Sequence, residues 1–181
     1  MKACLYLSEN LPIQYKVKNF TKTNLRTIEE NWEKIKESLA VTVRLISRFG
    51  FNNKNVVAQL GLLPIAFYLM KRGNSSFDTS SKAEDAAAQI TIRRWFVFST
   101  LKNAFGGSSD TTLTRLRELL KTCGPTTPFP ADILYNSLEI EPQLNDAEID
   151  RYLGYEYQSS VEEEAKPPCP YAELNERQPA F

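Results

Sequence analysis

Histidine is absent from the 181 residues of this chain. Its absence excludes from the chain Ser-His-Asp and Cys-His catalytic groups, zinc sites with histidine ligands and nucleases of the His-Asn-His type. Chemistry that uses carboxylates, lysine, tyrosine or a serine–lysine pair stays open, and a small enzyme of that kind is a minor alternative. We therefore predict that the chain has no catalytic residue, no metal ligand and no bound cofactor.

Cysteine and long apolar runs are also scarce. The three cysteines, Cys4, Cys123 and Cys169, are odd in number, far apart and outside any Cys-x-x-Cys pattern, which favours free thiols in a reducing compartment. No run of about 18 apolar residues is present to span a membrane. Residues 1–14 are too short and too soon interrupted for a signal peptide. These features predict a cytoplasmic protein with no membrane partner.

Neither sign of charge is in excess, because 22 Lys and Arg residues balance 22 Asp and Glu residues. The whole chain therefore lacks the basic surplus that would by itself indicate binding to nucleic acid or to an anionic membrane surface. Any binding to DNA must come from a local patch.

Apolar residues recur at steps of three and four over much of the chain, which is the spacing of one face of an α-helix. We predict an all-α fold, an irregular bundle of about four to six helices. Residues 1–20 never settle into this period and are expected to be an N-terminal extension, whereas residues 21–157 form the helical domain. Residues 158–181 are rich in Pro and Glu and poor in aliphatic residues, which predicts a flexible, disordered tail.

The longest predicted helix runs from Thr23 to Phe49 and ends at Gly50. The next begins at Pro64 and is apolar on nearly every side, which places it in the middle of the core. A capping box formed by Ser81 and Glu84 predicts the start of a third helix. The apolar stripe expected on the longest helix contains Leu25, Ile28, Trp32, Ile35, Leu39, Val43, Ile46 and Phe49. The core side expected on the third helix contains Ile90, Trp95, Phe98, Leu101 and Phe105, and Gly106-Gly107 is expected to stop it.

A further helix is predicted after the cap residues Ser108, Ser109 and Asp110, and two short helices follow, at residues 131–138 and behind the cap Asp146. The first of these helices has an apolar stripe, and its polar residues are expected to face away from the core. That stripe contains Leu113, Leu116, Leu119 and Leu120. The polar residues are Arg115, Arg117, Glu118 and Lys121.

The turn Phe105-Gly106-Gly107-Ser108-Ser109-Asp110 offers the free backbone N–H groups of a helix start to a phosphate or another anion. Asp110, however, stands where such an anion would lie, and no lysine follows in the position that P-loops use. A turn between two helices, with capping residues, accounts for the same sequence. We favour this second interpretation, and Ser108, Ser109 and Asp110 stay candidates for contact with DNA or a partner.

A basic and aromatic group lies on the preceding helix. Arg93 and Arg94 come directly before Trp95, and Lys102 follows about two turns later. The two arginines and the lysine could contact a nucleic-acid backbone while the ring stacks on a base. Trp95 also lies among Ile92, Phe96 and Phe98, which favours a core position for its ring. Arg93, Arg94 and Lys102 are therefore our candidates for DNA contact.

The order of these features resembles the helical region of the GmrSD-type, ParB-like restriction and defence family. Two patterns carry the resemblance. The first is an LP-apolar-apolar-Tyr stretch, for which this chain has Leu63-Pro64, three apolar residues and Tyr68. The second is a Trp followed by Phe-Gly-Gly-Ser-Ser-Asp and a Leu-rich helix, here Trp95 and Phe105 to Asp110. The match covers roughly residues 19–157, and FGGSSDTTL is its most specific part.

The resemblance implies phage defence by modification-dependent restriction. In that family a ParB-like domain with an Asp-Gly-Gln-Gln-Arg motif binds and hydrolyses nucleotide, and a His-Asn-His nuclease often follows. Both motifs are absent from this chain, so neither activity carries over to its residues. We expect a non-catalytic helical accessory domain that positions the nucleotide-sensing and nuclease parts and contacts DNA. Its partners would be a ParB-like NTPase or a His-Asn-His nuclease protein or domain.

A rival hypothesis requires no link to restriction. In it the chain is a stand-alone helical protein–protein interaction module, the FGGSSD segment is only a turn, and the helix from Thr23 to Phe49 offers a groove to a peptide.

Overall fold

The computed structural model describes residues 2–52 and 59–151. Within these residues the chain is helical and contains no β-strand, which confirms the predicted all-α class. The tail predicted for residues 158–181 lies outside the described residues. Seven of the α-helices in the described residues are labelled here, in chain order: α1 Lys2–Leu7, α2 Lys22–Glu30, α3 Trp32–Arg48, α4 Leu62–Arg72, α5 Ala83–Leu101, α6 Ser109–Leu120 and α7 Ala131–Leu138. An eighth helical segment covers residues 146–151.

The described residues contain more helices than the sequence predicts. A break at Asn31 divides the predicted helix from Thr23 to Phe49 into α2 and α3. The Asn31 side chain donates from Nδ2 to the carbonyl of Thr27 at 2.9 Å, and its backbone N–H donates to Ile28, one residue short of the α-helical partner. Asparagine favours such breaks because its side chain competes with the backbone for hydrogen bonds.

The break changes which residues face the core. Ile28, Ile35 and Ile46 are buried as predicted, but Trp32 is 47% exposed and Val43 is 60% exposed. The single stripe predicted across residues 25–49 is therefore only partly correct, because it fails at Leu25, Trp32 and Val43. The buried residues of α3 are Ile35, Ser38, Val41, Thr42, Leu45 and Ile46.

Two valines on α3 allow a matched test of this face. We expect Val41→Ala to lower the free energy of unfolding by about 2 kcal/mol, because it removes two buried methyl groups and leaves a cavity. Val43→Ala should change it by less than about 0.5 kcal/mol, since that side chain is mostly in water. Urea denaturation followed by circular dichroism measures both. Equal losses from the two substitutions would contradict the observed face of α3.

The predicted N-terminal extension is part of the core instead. Residues 2–7 form α1, and Leu5, Tyr6 and Leu7 are almost completely buried. Leu11 and Ile13, which follow the helix, are buried as well. A boundary at residue 20 therefore does not separate an extension from the packed domain.

The apolar helix α4 is central, as predicted. It packs against α1, α3 and α6, and Ile65, Ala66, Phe67 and Tyr68 are fully buried. Gly73 ends α4 with φ of +66° and a hydrogen bond from its N–H to the carbonyl of Leu69 at 3.0 Å. This left-handed conformation is one that glycine adopts without steric cost.

Helix α5 begins without the predicted capping box. Its N-terminal cap position is Lys82, which makes no side-chain capping bond, and the nearby hydroxyl of Ser80 donates to the Asp85 carboxylate at 2.5 Å. The predicted core side is also partly wrong, because Ile90 is 70% exposed. The helix ends at Leu101, before the predicted stop at Gly106-Gly107. The buried residues of α5 are Asp85, Ala88, Ile92, Trp95, Phe96 and Ser99.

The last two labelled helices follow the predictions more closely. Leu113, Leu116 and Leu120 of α6 are fully buried, and α7 spans the predicted residues 131–138. Arg117, however, is buried with these leucines instead of facing away from the core.

The chain divides into two compact units, Met1–Pro142 and Gln143–Phe181. In the described part of the second unit, residues 146–151 are helical. Asn145 and Glu148 form a capping box, because each side chain accepts a hydrogen bond from the other residue's backbone N–H, at 2.9 and 3.0 Å. The cap is therefore one residue before the predicted Asp146.

Candidate functional site

The turn that joins α5 to α6 places an ion pair at the start of α6. The Oδ1 atom of Asp110 lies 2.6 Å from the Nζ atom of Lys2, and Asp110 belongs to the first turn of α6. The Ser108 hydroxyl lies 3.0 Å from that of Thr111 and makes no capping bond to the backbone. A carboxylate at a helix N-terminus is favourable for the helix dipole and would repel a second anion. This geometry supports a helix start with no phosphate site.

The end of α5 sets the shape of the same turn. Asn103 has φ of +51°, a left-handed conformation that asparagine adopts more easily than most residues. Phe105 is buried with its ring 6.5 Å from that of Trp95 in an edge-to-face contact. The turn is therefore anchored to the core at its beginning, while Ser108 and Gly107 are exposed.

The three predicted DNA-contacting cations do not form one cluster. Arg93 is exposed and makes no hydrogen bond or ion pair with another described residue. Arg94 donates from Nη2 to the carbonyl of Pro142 at 3.3 Å, and its guanidinium lies 5.9 Å from the Phe98 ring centre. At 100° per residue, Arg93 and Lys102 lie on opposite sides of the α5 axis.

Lys102 lies beside acidic residues instead. It lines a surface cavity of about 500 Å³ between the end of α5 and the segment after α7. Glu139 and Glu141 line the same cavity, which lowers the local positive potential. Arg93 is thus the member of the predicted trio that is best placed to contact a phosphate.

Trp95 belongs to the core, as the sequence favours. Its ring lies 5.6 Å from the ring of Phe129, which in turn lies 5.1 Å from that of Tyr68. The Tyr68 hydroxyl donates to the carbonyl of Thr127 at 2.8 Å, and burial raises the pKa of this phenol. Together with Phe105, these rings connect α4, α5 and the segments before α6 and α7. We call the four residues, Tyr68, Trp95, Phe105 and Phe129, the aromatic cluster.

A buried ion pair between Arg72 and Asp85 joins α4 to α5, and the sequence pattern did not predict it. Arg72 donates to Asp85 Oδ1 from Nη2 at 2.5 Å and from Nε at 3.0 Å, and both side chains are more than nine-tenths buried. Ser80 and Asn74 donate to the other oxygen, at 2.5 and 3.2 Å. Burial alone would raise the pKa of Asp85. The hydrogen bonds from Ser80 and Arg72 and the Arg72 charge lower it by more, so the net pKa is below its usual value.

The loop between α4 and α5 is also held from α3. Arg44 donates from Nε and Nη2 to the two oxygens of the buried Asp78 carboxylate, at 3.1 and 3.2 Å. Arg48 donates to the backbone carbonyl of the same residue. These contacts and the Arg72–Asp85 pair fix one loop against three helices, so we assign them to stability of the fold.

Arg117 forms a third buried polar centre, on α6. Its Nη1 atom donates to the carbonyls of Leu11 at 2.8 Å and Leu5 at 3.3 Å, with those of Tyr6 and Ser8 slightly farther away. These carbonyls lie at and after the end of α1, where a helix leaves acceptors unsatisfied. Burial lowers the pKa of Arg117. The arginine therefore fastens α1 to α6 and explains why residues 2–11 belong to the core.

An exposed basic segment runs from the connection between α1 and α2 into the first turns of α2, and the pattern of apolar residues did not predict it. Residues 10–28 contain no Asp or Glu but contain Lys16, Lys18, Lys22 and Arg26. The signal that could have found it is the local charge, which whole-chain balance conceals. Six of the 22 acidic residues but two of the 22 basic residues lie in residues 152–181, so residues 1–151 carry four more basic than acidic residues.

The described residues also contain an apolar surface cavity of about 420 Å³ beside α3. Its lining comes from α3, from Phe51, Asn52 and Gln59, and from the start of α4. The lining residues are Leu39, Val43, Ile46, Ser47, Phe51, Asn52, Gln59, Leu62 and Leu63. This is the surface that the rival hypothesis of a peptide-binding module would use.

In residues 2–52 and 59–151, no group of three or more Cys, Asp or Glu side chains is arranged to hold a metal ion. Cys4 and Cys123 are free thiols, and burial raises the pKa of Cys123, whereas Cys169 lies outside this part of the chain. No helix in these ranges is long and apolar enough to cross a membrane.

We compared the chain with protein-family models and with curated proteins. Neither comparison gave a match.

Proposed function

We propose that this chain is a non-catalytic helical accessory domain of a GmrSD-like, modification-dependent restriction system, which positions the nucleotide-sensing and nuclease parts. The observation that carries the proposal is the aromatic cluster. Tyr68 comes from one of the two motifs that resemble the family, and Trp95 and Phe105 come from the other. The rings of Tyr68 and Trp95 both contact that of Phe129, and Phe105 contacts Trp95. Residues that are far apart in sequence therefore act together to place the FGGSSD turn.

The rigid connections around this cluster support a positioning role. The Arg72–Asp85 pair ties α4 to α5, and the Lys2–Asp110 pair ties α1 to the start of α6. The Arg72–Asp85 pair is buried, and because a buried ion pair is sensitive to small displacements, it favours one relative placement of α4 and α5. A fixed placement is what an accessory domain needs in order to hold two partners in register.

In this proposal Arg93 supplies the DNA contact. It is exposed on α5 and has no partner among the described residues, so its guanidinium is available for a bidentate bond to a phosphate. Arg94 is already engaged with the Pro142 carbonyl and the Phe98 ring. Lys102 lies beside two glutamates. The three candidates should therefore contribute unequally.

We expect Arg93→Ala to weaken binding of duplex DNA several-fold and to reduce the slope of log K against log salt by about 0.9, the value for one lost phosphate contact. Arg94→Ala should have a smaller effect on binding, because that side chain is held by the protein. Fluorescence anisotropy with labelled duplex at two salt concentrations measures both, and Arg93→Lys is the charge-conserving control. An unchanged isotherm for Arg93→Ala would contradict the contact.

The positioning role has its own test. The purified chain should co-purify with a ParB-like nucleotide-binding protein or a His-Asn-His nuclease encoded beside it. Replacing Phe105 with alanine, which loosens the FGGSSD turn from Trp95, should weaken that association. If no such protein is encoded nearby and the chain binds no DNA, the stand-alone interaction module is the better hypothesis.

A further inference from the structure

The segment between α1 and α2, together with the first residue of α2, exposes three lysines that have no acidic partner among the described residues. Lys16, Lys18 and Lys22 are exposed and form no ion pair with a described residue, and the next cation, Arg26, pairs with Glu30 at 3.2 Å. Lys22 also opens α2, whose first turn contains no acidic residue. The positive end of the helix dipole therefore adds to the lysine charges.

Two apolar side chains are exposed among these lysines. Val17 is 92% exposed and Tyr15 is 63% exposed. The Tyr15 ring lies 5.5 Å from the Phe20 ring at an interplanar angle of 72°. This edge-to-face contact sets the orientation of Tyr15 and leaves much of its ring accessible. We call Tyr15, Lys16, Val17, Lys18 and Lys22 the basic loop.

The backbone of the basic loop is held in one conformation. Asn19 is buried and donates from Nδ2 to the carbonyl of Gln14 at 2.6 Å. Asn24 of α2 donates to the carbonyl of Asn19 at 2.8 Å, and Thr21 caps α2 by accepting from the N–H of Asn24 at 3.2 Å. A loop whose conformation is already fixed by hydrogen bonds loses little conformational entropy when it binds a ligand.

We propose that the basic loop binds single-stranded nucleic acid. Exposed lysines around an exposed aromatic ring match the chemistry of a strand whose phosphates are neutralised while an unpaired base stacks. A duplex cannot offer such a base, because its bases are already stacked. An anionic membrane surface fits less well, since stable membrane binding by a loop needs more apolar area than one valine and one tyrosine provide. The inference goes beyond the duplex contact at Arg93 and does not depend on it.

The test is the binding of a fluorescein-labelled oligo(dT) of about 12 nucleotides, a length typical of such sites, at several salt concentrations. The triple variant Lys16→Gln/Lys18→Gln/Lys22→Gln should reduce the slope of log K against log salt by about 2, or 0.7 for each lost contact. Tyr15→Ala should weaken binding about 5- to 100-fold, with little change in the slope. All four residues are exposed, so thermal melting should be unchanged.

A second triple variant, Lys34→Gln/Lys36→Gln/Lys82→Gln, removes the same charge from exposed positions elsewhere. It should leave oligo(dT) binding near the wild-type value. Equal weakening by both triple variants, or no oligo(dT) binding by the wild-type chain, would overturn the proposal. If the basic-loop substitutions weaken binding to phosphatidylserine vesicles but do not weaken binding to oligo(dT), the proposal is overturned in favour of a membrane surface. Arg93→Ala should leave oligo(dT) binding intact, which separates this site from the proposed duplex contact.

Discussion

Replacing Asp85 with asparagine is expected to lower the free energy of unfolding by about 3–5 kcal/mol, because it leaves the buried Arg72 guanidinium without an opposite charge. Four hydrogen bonds converge on this carboxylate, from Arg72, Ser80 and Asn74. An amide of the same size keeps the packing but accepts at only one of its two heavy atoms. The measurement is urea denaturation followed by circular dichroism.

The matched control is the neighbouring residue. Glu84→Gln removes the same charge from an exposed position in the first turn of α5, and we expect it to change the unfolding free energy by less than about 1 kcal/mol. A loss of comparable size in the two variants would show that the buried pair with Arg72 does not stabilise the chain.

Asp85 also predicts how stability depends on pH. The hydrogen bonds and the Arg72 charge hold its folded-state pKa below the usual value of an aspartate, so the unfolded chain takes up a proton first as the pH falls. The stabilisation from this group is therefore present above about pH 4 and is lost as the pH falls through the folded pKa. We expect the unfolding free energy of the wild type to decline more steeply below pH 4 than that of Asp85→Asn, measured by urea titrations at several pH values. Parallel declines would contradict the assignment.

Trp95→Ala is expected to lower the free energy of unfolding by about 3–5 kcal/mol, because it opens a large cavity at the centre of the aromatic cluster. The ring is fully buried against Phe105 and Phe129. Its indole N–H has no hydrogen-bond partner in the described part of the chain, so packing accounts for most of its contribution. The same substitution should also disorder the FGGSSD turn, which amide hydrogen exchange at residues 105–110 can detect.

The other tryptophan is the control for this experiment. Trp32 lies at the start of α3 and is 47% exposed, so Trp32→Ala should cost about 1 kcal/mol or less. Each single-tryptophan variant also reports on its remaining ring, and the fluorescence maximum of Trp95 should lie at a shorter wavelength than that of Trp32. Similar maxima and similar losses would contradict the burial that we describe.

Much of the fold could be predicted from the sequence. The predictions were correct where the helical spacing of apolar residues and the residues that end helices indicate the same helix. The span of α7, the leucine stripe of α6 and the central position of α4 all follow from residues whose local preferences match their tertiary positions. Gly50 follows the end of a helix as predicted, and Gly73 ends α4; each takes a positive φ that glycine tolerates.

The errors occurred where tertiary contacts outweigh the apolar period. A run of apolar residues at helical spacing continues through Asn31, so the period alone could not show the break that its side chain makes. Residues 2–13 lack a clear period, and the contacts that hold them come from α4 and from Arg117, which are far away in sequence. Polar residues that enter a core through specific partners leave no periodic signal.

The candidate site was less predictable than the fold. The sequence predicted one group of Arg93, Arg94 and Lys102. In the structure Arg93 and Lys102 lie on opposite sides of α5. Arg94 bonds to Pro142, and Lys102 lines a cavity with Glu139 and Glu141. The basic loop was missed because the acidic residues after residue 151 balance its charge in the whole-chain total. Local charge, read segment by segment, is the signal that a search for helices overlooks.

The most direct test of the proposed function is a titration of the purified chain with duplex DNA at two salt concentrations, alone and with a ParB-like protein encoded beside it. We expect salt-sensitive binding that becomes tighter with the partner and weaker in Arg93→Ala. The absence of DNA binding under both conditions, with no association between the two proteins, would contradict a DNA-positioning accessory domain.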